Sequence, residues 1–146
     1  MILYFAYGTN MDPVHMAEYC PRAERIGVAT LPNYAFGIAA GGYGTVRPKS
    51  GQTVHGVLWR LTPAEVAALD RFEGVPDGFY RRDSASVATP EGQVVEAMIY
   101  RPTDDRPGKP APRYLERIIE VAGMLKFPAA YIAQLENLAR IEDLLT

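Results

Sequence analysis

The sequence predicts an α+β fold: a small mixed, largely antiparallel β-barrel-like sheet with flanking helices, in one domain spanning residues 1–146. Three observations predict it. Short apolar and β-branched runs recur between turn residues, and 13 glycines and 12 prolines suit many short strands joined by turns. Two helix starts carry explicit caps, at Asp12-Pro13 and at Thr62-Pro63-Ala64-Glu65. From Arg113 onward the apolar residues recur at helical spacing.

In chain order, Ile2 to Tyr7 reads as a strand. Asp12 then caps a helix with Pro13 at its first position, and this helix stops before Pro21. Arg22 to Thr30 and Tyr34 to Ala40 read as two strands around a Pro32-Asn33 turn. Gly41-Gly42-Tyr43-Gly44 is a flexible or tight turn, Thr45 to Pro48 a short strand, and Val54 to Leu61 a β-prone run. The helix opened by Thr62 runs to Phe72 or Glu73 and meets Gly74, a C-terminal stop. Phe79 to Thr89 and Gln93 to Arg101 form a hairpin across Pro90-Glu91-Gly92. After a Pro-rich loop from Thr103 to Pro112 come two helices, Arg113 to Lys126 and Ala129 to Leu145. The first carries an amphipathic stripe of Leu115, Ile118, Ile119, Ala122 and Leu125. Five to seven strands result, and the functional cleft is expected where strand ends and loops converge.

Composition narrows the function. The chain is 48% hydrophobic and 22% charged, enough to build a core. A net charge of −2 without a basic stripe gives nucleic acid binding no support. No apolar segment is long enough to span a membrane, and no secretory signal opens the chain, so a cytoplasmic location is expected. The lone cysteine, Cys20, excludes an intramolecular disulfide. His15, His55 and Cys20 lack the spacing of a metal site, and Cys20 lacks the basic surroundings of a catalytic thiol. Ser84 and Ser86 have no nucleophile-elbow context.

Two places could carry chemistry. In Tyr4-Phe5-Ala6-Tyr7-Gly8-Thr9-Asn10 an apolar run ends abruptly in a tight polar loop. Consecutive N–H groups there form a concavity suited to a carboxylate or phosphate; an ordinary strand-ending turn has the same residues. On the helix ending at Glu73, Val66, Ala68, Leu69 and Phe72 form an apolar arc. Glu73 falls inside it, Asp70 at its edge, and Arg71 points away. An inward carboxylate has its pKa raised toward neutral, which suits proton transfer. Helix geometry alone leaves this reading level with a fraying last turn that reaches water.

Leu69-Asp70-Arg71-Phe72-Glu73-Gly74 followed by Gly78-Phe79-Tyr80 resembles the acidic motif of the gamma-glutamylcyclotransferase-like family. The Tyr4 to Asn10 segment resembles that family's substrate loop, and Pro110-Ala111-Pro112-Arg113-Tyr114 with its helix resembles the C-terminal part of one branch. Thr9 departs from the family's more frequent serine but keeps the hydroxyl. The resemblance implies an intramolecular cyclisation of a small-molecule γ-glutamyl amide to 5-oxoproline and a free amine, with no metal or cofactor. It implies Glu73 as general acid/base. Tyr4, Phe5, Ala6, Tyr7, Gly8, Thr9, Asn10, Tyr80 and Tyr114 are the substrate-binding candidates. Tyr114 is also readable as a residue at a helix start, Tyr80 as a core strand residue, and Asn10 as a loop-holding side chain. A γ-glutamylamine or another γ-glutamyl metabolite would use the same pocket, a binding module without turnover remains a rival, and a homodimer is left open.

Overall fold

The computed structural model describes residues 1–145, with side chains through Arg140. Five strands form a closed barrel: β1 (Ile2–Ala6), β2 (Glu24–Ile38), β3 (Gly44–Leu61), β4 (Tyr80–Ala88) and β5 (Val94–Pro102), in the order β1-β3-β2-β4-β5. Four α-helices surround it: α1 (Pro13–Tyr19), α2 (Pro63–Phe72), α3 (Tyr114–Met124) and α4 (Ala129–Leu145). A 3-10 turn, Thr9–Met11, follows β1. All pairings are antiparallel except that of β1 with β5, where Tyr4 faces Met98 and the barrel closes. Closure joins β2 to β4 through Thr30 and Ala88 and β1 to β5 through Tyr4 and Met98.

The capped helices form as their sequences dictate. Asp12 accepts from the Val14 N–H at 3.0 Å and starts α1. Thr62 and Glu65 satisfy one another's backbone N–H groups at the start of α2. Gly74, at φ +71°, ends it in the left-handed conformation that a side chain would strain. Ile118, Val121 and Ala122 of α3 are buried, while Ile119 and Leu125 pack half-buried against the same core.

The β2–β3 hairpin departs from expectation. The two strands read around Pro32-Asn33 are one strand, β2, and the two read around residues 49–53 are one strand, β3. The interruptions are bulges: Pro32 pairs with Thr53 and Tyr34 with Pro48, so residues 49–52 loop out of the ladder. Asn33 sits at φ +63° and its side-chain oxygen accepts from the Gly51 N–H at 3.1 Å. Turn residues thus bend a continuous ribbon instead of ending it. The Gly41–Gly44 segment is the tight turn of this hairpin, tied by Ala39 N–H to the Tyr43 carbonyl at 2.9 Å and by Ala111 N–H to the Gly42 carbonyl at 2.8 Å. A second correction concerns α2. Val66 and Leu69 are buried, but Phe72, the last residue of the helix, is 38% exposed, its ring against His15 and Tyr19.

Candidate active site

One end of the barrel opens into a cavity of about 800 Å³, a volume typical of small-molecule sites. Glu73 stands on its wall at the C-cap of α2, its own N–H still bonded to the Leu69 carbonyl at 2.8 Å. The helix therefore runs up to this carboxylate and turns away one residue later. Burial pushes its pKa from 4.5 up to about 7. A group with that affinity both takes and gives a proton near neutral pH.

Asn10 holds Glu73 from the opposite side. Its side-chain amide donates to Glu73 Oε1 at 3.4 Å and to the Tyr4 hydroxyl at 3.0 Å, and its backbone carbonyl accepts from Trp59 Nε1 at 3.0 Å. Asn10 Oδ1 is buried with no partner among the described residues. The preceding Gly8 and Thr9 line the cavity and open the 3-10 turn, where the first N–H groups have no acceptor within the turn. A Cβ on Gly8 would lie 3.0 Å from the Tyr114 hydroxyl.

Three tyrosines, Tyr7, Tyr80 and Tyr114, meet the Gly44 backbone through their hydroxyls. The Tyr114 hydroxyl accepts from the Gly44 N–H at 3.0 Å, which leaves its own proton to donate. Tyr80 donates to the Gly44 carbonyl at 3.4 Å. Tyr7 donates to the Tyr100 carbonyl at 2.6 Å, so its hydroxyl braces the wall. The Tyr100 hydroxyl donates to Asp70 Oδ1 at 2.7 Å, and Asp70 faces Arg82 at 3.4 Å. Burial raises the phenols of Tyr4, Tyr7, Tyr80, Tyr100 and Tyr114 above the ordinary 10, and the charge of Glu73 adds to the rise in each. All stay protonated near neutral pH.

Of the sequence-derived candidates, Glu73, Tyr4, Tyr7, Gly8, Thr9, Asn10, Tyr80 and Tyr114 are brought together around this cavity. Phe5 and Ala6 are not. They are 0% and 1% exposed in the barrel core and do not line it. Sequence reasoning missed Tyr43, Phe72, Phe79, Tyr100 and His15, which also line the cavity. Only the register of β5 with β1 brings Tyr100 beside Tyr4, with ring centroids 5.6 Å apart. Among the described residues no cluster of three or more His, Cys, Asp or Glu could hold a metal ion, and no helix is long and apolar enough to cross a membrane.

The chain is similar to known proteins over most of its length. The model of the family described as gamma-glutamyl cyclotransferase, AIG2-like, matches residues 4–117, a span that holds every site residue above. A human gamma-glutamylcyclotransferase is 31% identical over 92% of this chain and 77% of its own. A cattle gamma-glutamylcyclotransferase is 28% identical over 93% and 78%. A solved gamma-glutamyl cyclotransferase structure superposes with a TM-score of 0.84 at 28% identity, covering 92% of this chain and 86% of its own.

Proposed function

This chain belongs to the gamma-glutamyl cyclotransferase, AIG2-like family of enzymes, and from that membership we propose that it converts a γ-glutamyl amide into 5-oxoproline and a free amine, with Glu73 carrying the proton. The observation that carries the reading is a carboxylate with a pKa of about 7 on the cavity wall, steered by Asn10.

In the first step, ionised Glu73 takes a proton from the substrate's α-ammonium group. The freed amine attacks the γ-carbonyl carbon, the new C–N bond closes a five-membered ring, and the carbonyl oxygen becomes an oxyanion. The ring nitrogen of the tetrahedral centre now carries two hydrogens and a positive charge. Glu73 gives its first proton to the departing nitrogen, and the bond to that nitrogen breaks as the centre collapses. The freed Glu73 carboxylate takes the surplus proton from the ring nitrogen and passes it to the released amine, which leaves as its ammonium form. No water is consumed and no net proton is lost. One carboxyl serves as base and then acid, for which a pKa near the working pH is best suited. In this reading the N–H groups at Gly8 and Thr9 and the hydroxyl of Tyr114 supply the donors for the oxyanion or the substrate's α-carboxylate. The Tyr114 proton is left to donate because its oxygen accepts from the Gly44 N–H. The enclosed wall holds the chain bent so that amine and carbonyl meet, an orientation gain of several kcal/mol (about 7 or more in well-aligned cases).

The test is 5-oxoproline release from a panel of γ-glutamyl compounds by wild type and Glu73→Gln. Product from wild type alone supports the reaction and the proton role. Undiminished product from Glu73→Gln refutes the role, and ligand binding without product from any member supports a binding module.

A further inference from the structure

We propose that the mouth of this cavity is an aromatic subsite for the departing amine, and that the enzyme favours γ-glutamyl amides whose leaving group bears an aromatic side chain over those whose leaving group brings an additional acid. The inference rests on the reaction proposed above and deepens it.

The leaving nitrogen takes its proton from Glu73, so it must come within hydrogen-bond reach of that carboxyl. Whatever that nitrogen carries therefore extends from Glu73 toward the open end. The residues flanking Glu73 supply rings there. Phe72 precedes it, and Phe79 packs over Gly74, whose Cβ would come within 2.8 Å of that ring. Tyr43, on the β2–β3 turn, stands edge-on to Tyr114 with centroids 5.3 Å apart. These three rings line the cavity and yet are 38%, 68% and 51% exposed for Phe72, Phe79 and Tyr43. Large apolar groups left in water at a single cavity mouth mark a surface meant to be covered. Phe72 is held ready by Tyr19 at 4.1 Å and His15 at 5.3 Å between ring centroids. Continuity with the Glu73 cavity makes the substrate itself the occupant.

The charges favour the same class. Among the described residues that line the cavity there is no lysine or arginine. The acids are Glu73 and Asp104, and Asp104 pairs with Arg106, which does not line the cavity, through bonds of 2.9 and 2.7 Å. His15 is pushed below its ordinary 6.5 by burial and is neutral near pH 7. An added carboxylate would find no cation on the wall and would face ionised Glu73. An aromatic group would bury its face against rings already in place.

The experiment measures kcat/KM for 5-oxoproline release from γ-glutamylphenylalanine, γ-glutamylglycine and γ-glutamylglutamate, in which only the side chain of the leaving amino acid varies. The expected order is phenylalanine over glycine by about tenfold or more, carried mainly by KM, with glutamate last. Phe79→Ala, at a position exposed enough to tolerate truncation, is expected to lower the phenylalanine-to-glycine ratio about fivefold or more. Val94→Ala, outside the cavity, is expected to keep that ratio. Equal kcat/KM for phenylalanine and glycine, a preference for glutamate, or a ratio unmoved in both Phe79→Ala and Tyr43→Ala overturns the subsite while the reaction stands. No 5-oxoproline from any of the three overturns the reaction and the subsite together.

Discussion

Replacing Glu73 by Gln is expected to stabilise the protein above neutral pH while removing its activity. Gln keeps the volume of the side chain and an oxygen to accept from Asn10, at present 3.4 Å from Glu73 Oε1. It removes the charge. Each tenfold change in proton affinity is about 1.36 kcal/mol, so raising this carboxyl from 4.5 to about 7 makes its ionised form cost the fold about 3 kcal/mol. The sign follows from linkage: the folded state holds the proton more tightly than the unfolded chain does. Wild type therefore has its full stability below about pH 4.5 and loses this increment as pH rises to about 7. Urea unfolding across that window should show equal stabilities at the acid end. The variant should lead by about 3 kcal/mol above neutrality, roughly 6–12 °C in Tm for a chain of this size. Turnover should fall about 10²–10⁴-fold. A variant that is no more stable than wild type at about pH 8 would refute the claim that the carboxylate is held at a cost in free energy. Retained turnover would refute its role in proton transfer.

Three further outcomes can be checked with the same protein. Gly8→Val should raise KM for a γ-glutamyl substrate about tenfold or more, because its Cβ would already lie 3.0 Å from the Tyr114 hydroxyl and its methyls would press further; unchanged Michaelis kinetics would count against the loop assignment. Asp12→Ala should destabilise the fold by about 2 kcal/mol, since Asp12 caps α1 and reaches Arg117 of α3 at 2.5 Å. Burial raises the Asp12 pKa, but Arg117 and the Val14 N–H outweigh it and hold the carboxyl below 3.8. Its contribution is thus present above about pH 3.8 and lost on acidification through the depressed pKa, so variant and wild type should converge in acid unfolding. Cys20, buried and pushed up to about 11 mainly by desolvation, should resist thiol reagents at about pH 8 in native protein and react once the chain is denatured; rapid native labelling would contradict its burial.

What the sequence determined by itself was local. Thr62 and Glu65 cap one another within a single turn, and Gly74 stops the same helix, so the placement of Glu73 at a helix end needed no distant residue, while its inward aim was left level with a turn that reaches water. The same holds for Asp12-Pro13 and for the hairpin turn before Gln93, where Gly92 adopts φ +85°. The tertiary structure decided the rest. Pro32-Asn33 reads as a turn, yet the ladder continues past it, because pairing with β3 outweighs a local bend that a bulge can absorb. Phe72 reads as core by helical period and becomes part of the cavity mouth, because period says nothing of where the neighbouring wall ends. Tyr100 enters the site only through barrel closure, and the acidity of Glu73 exists only once the cavity encloses it. Asn10 and Glu73 lie 63 residues apart. Hydrogen bonds within a turn are encoded by adjacent residues, whereas burial and long-range register arise only when the whole chain has closed around them.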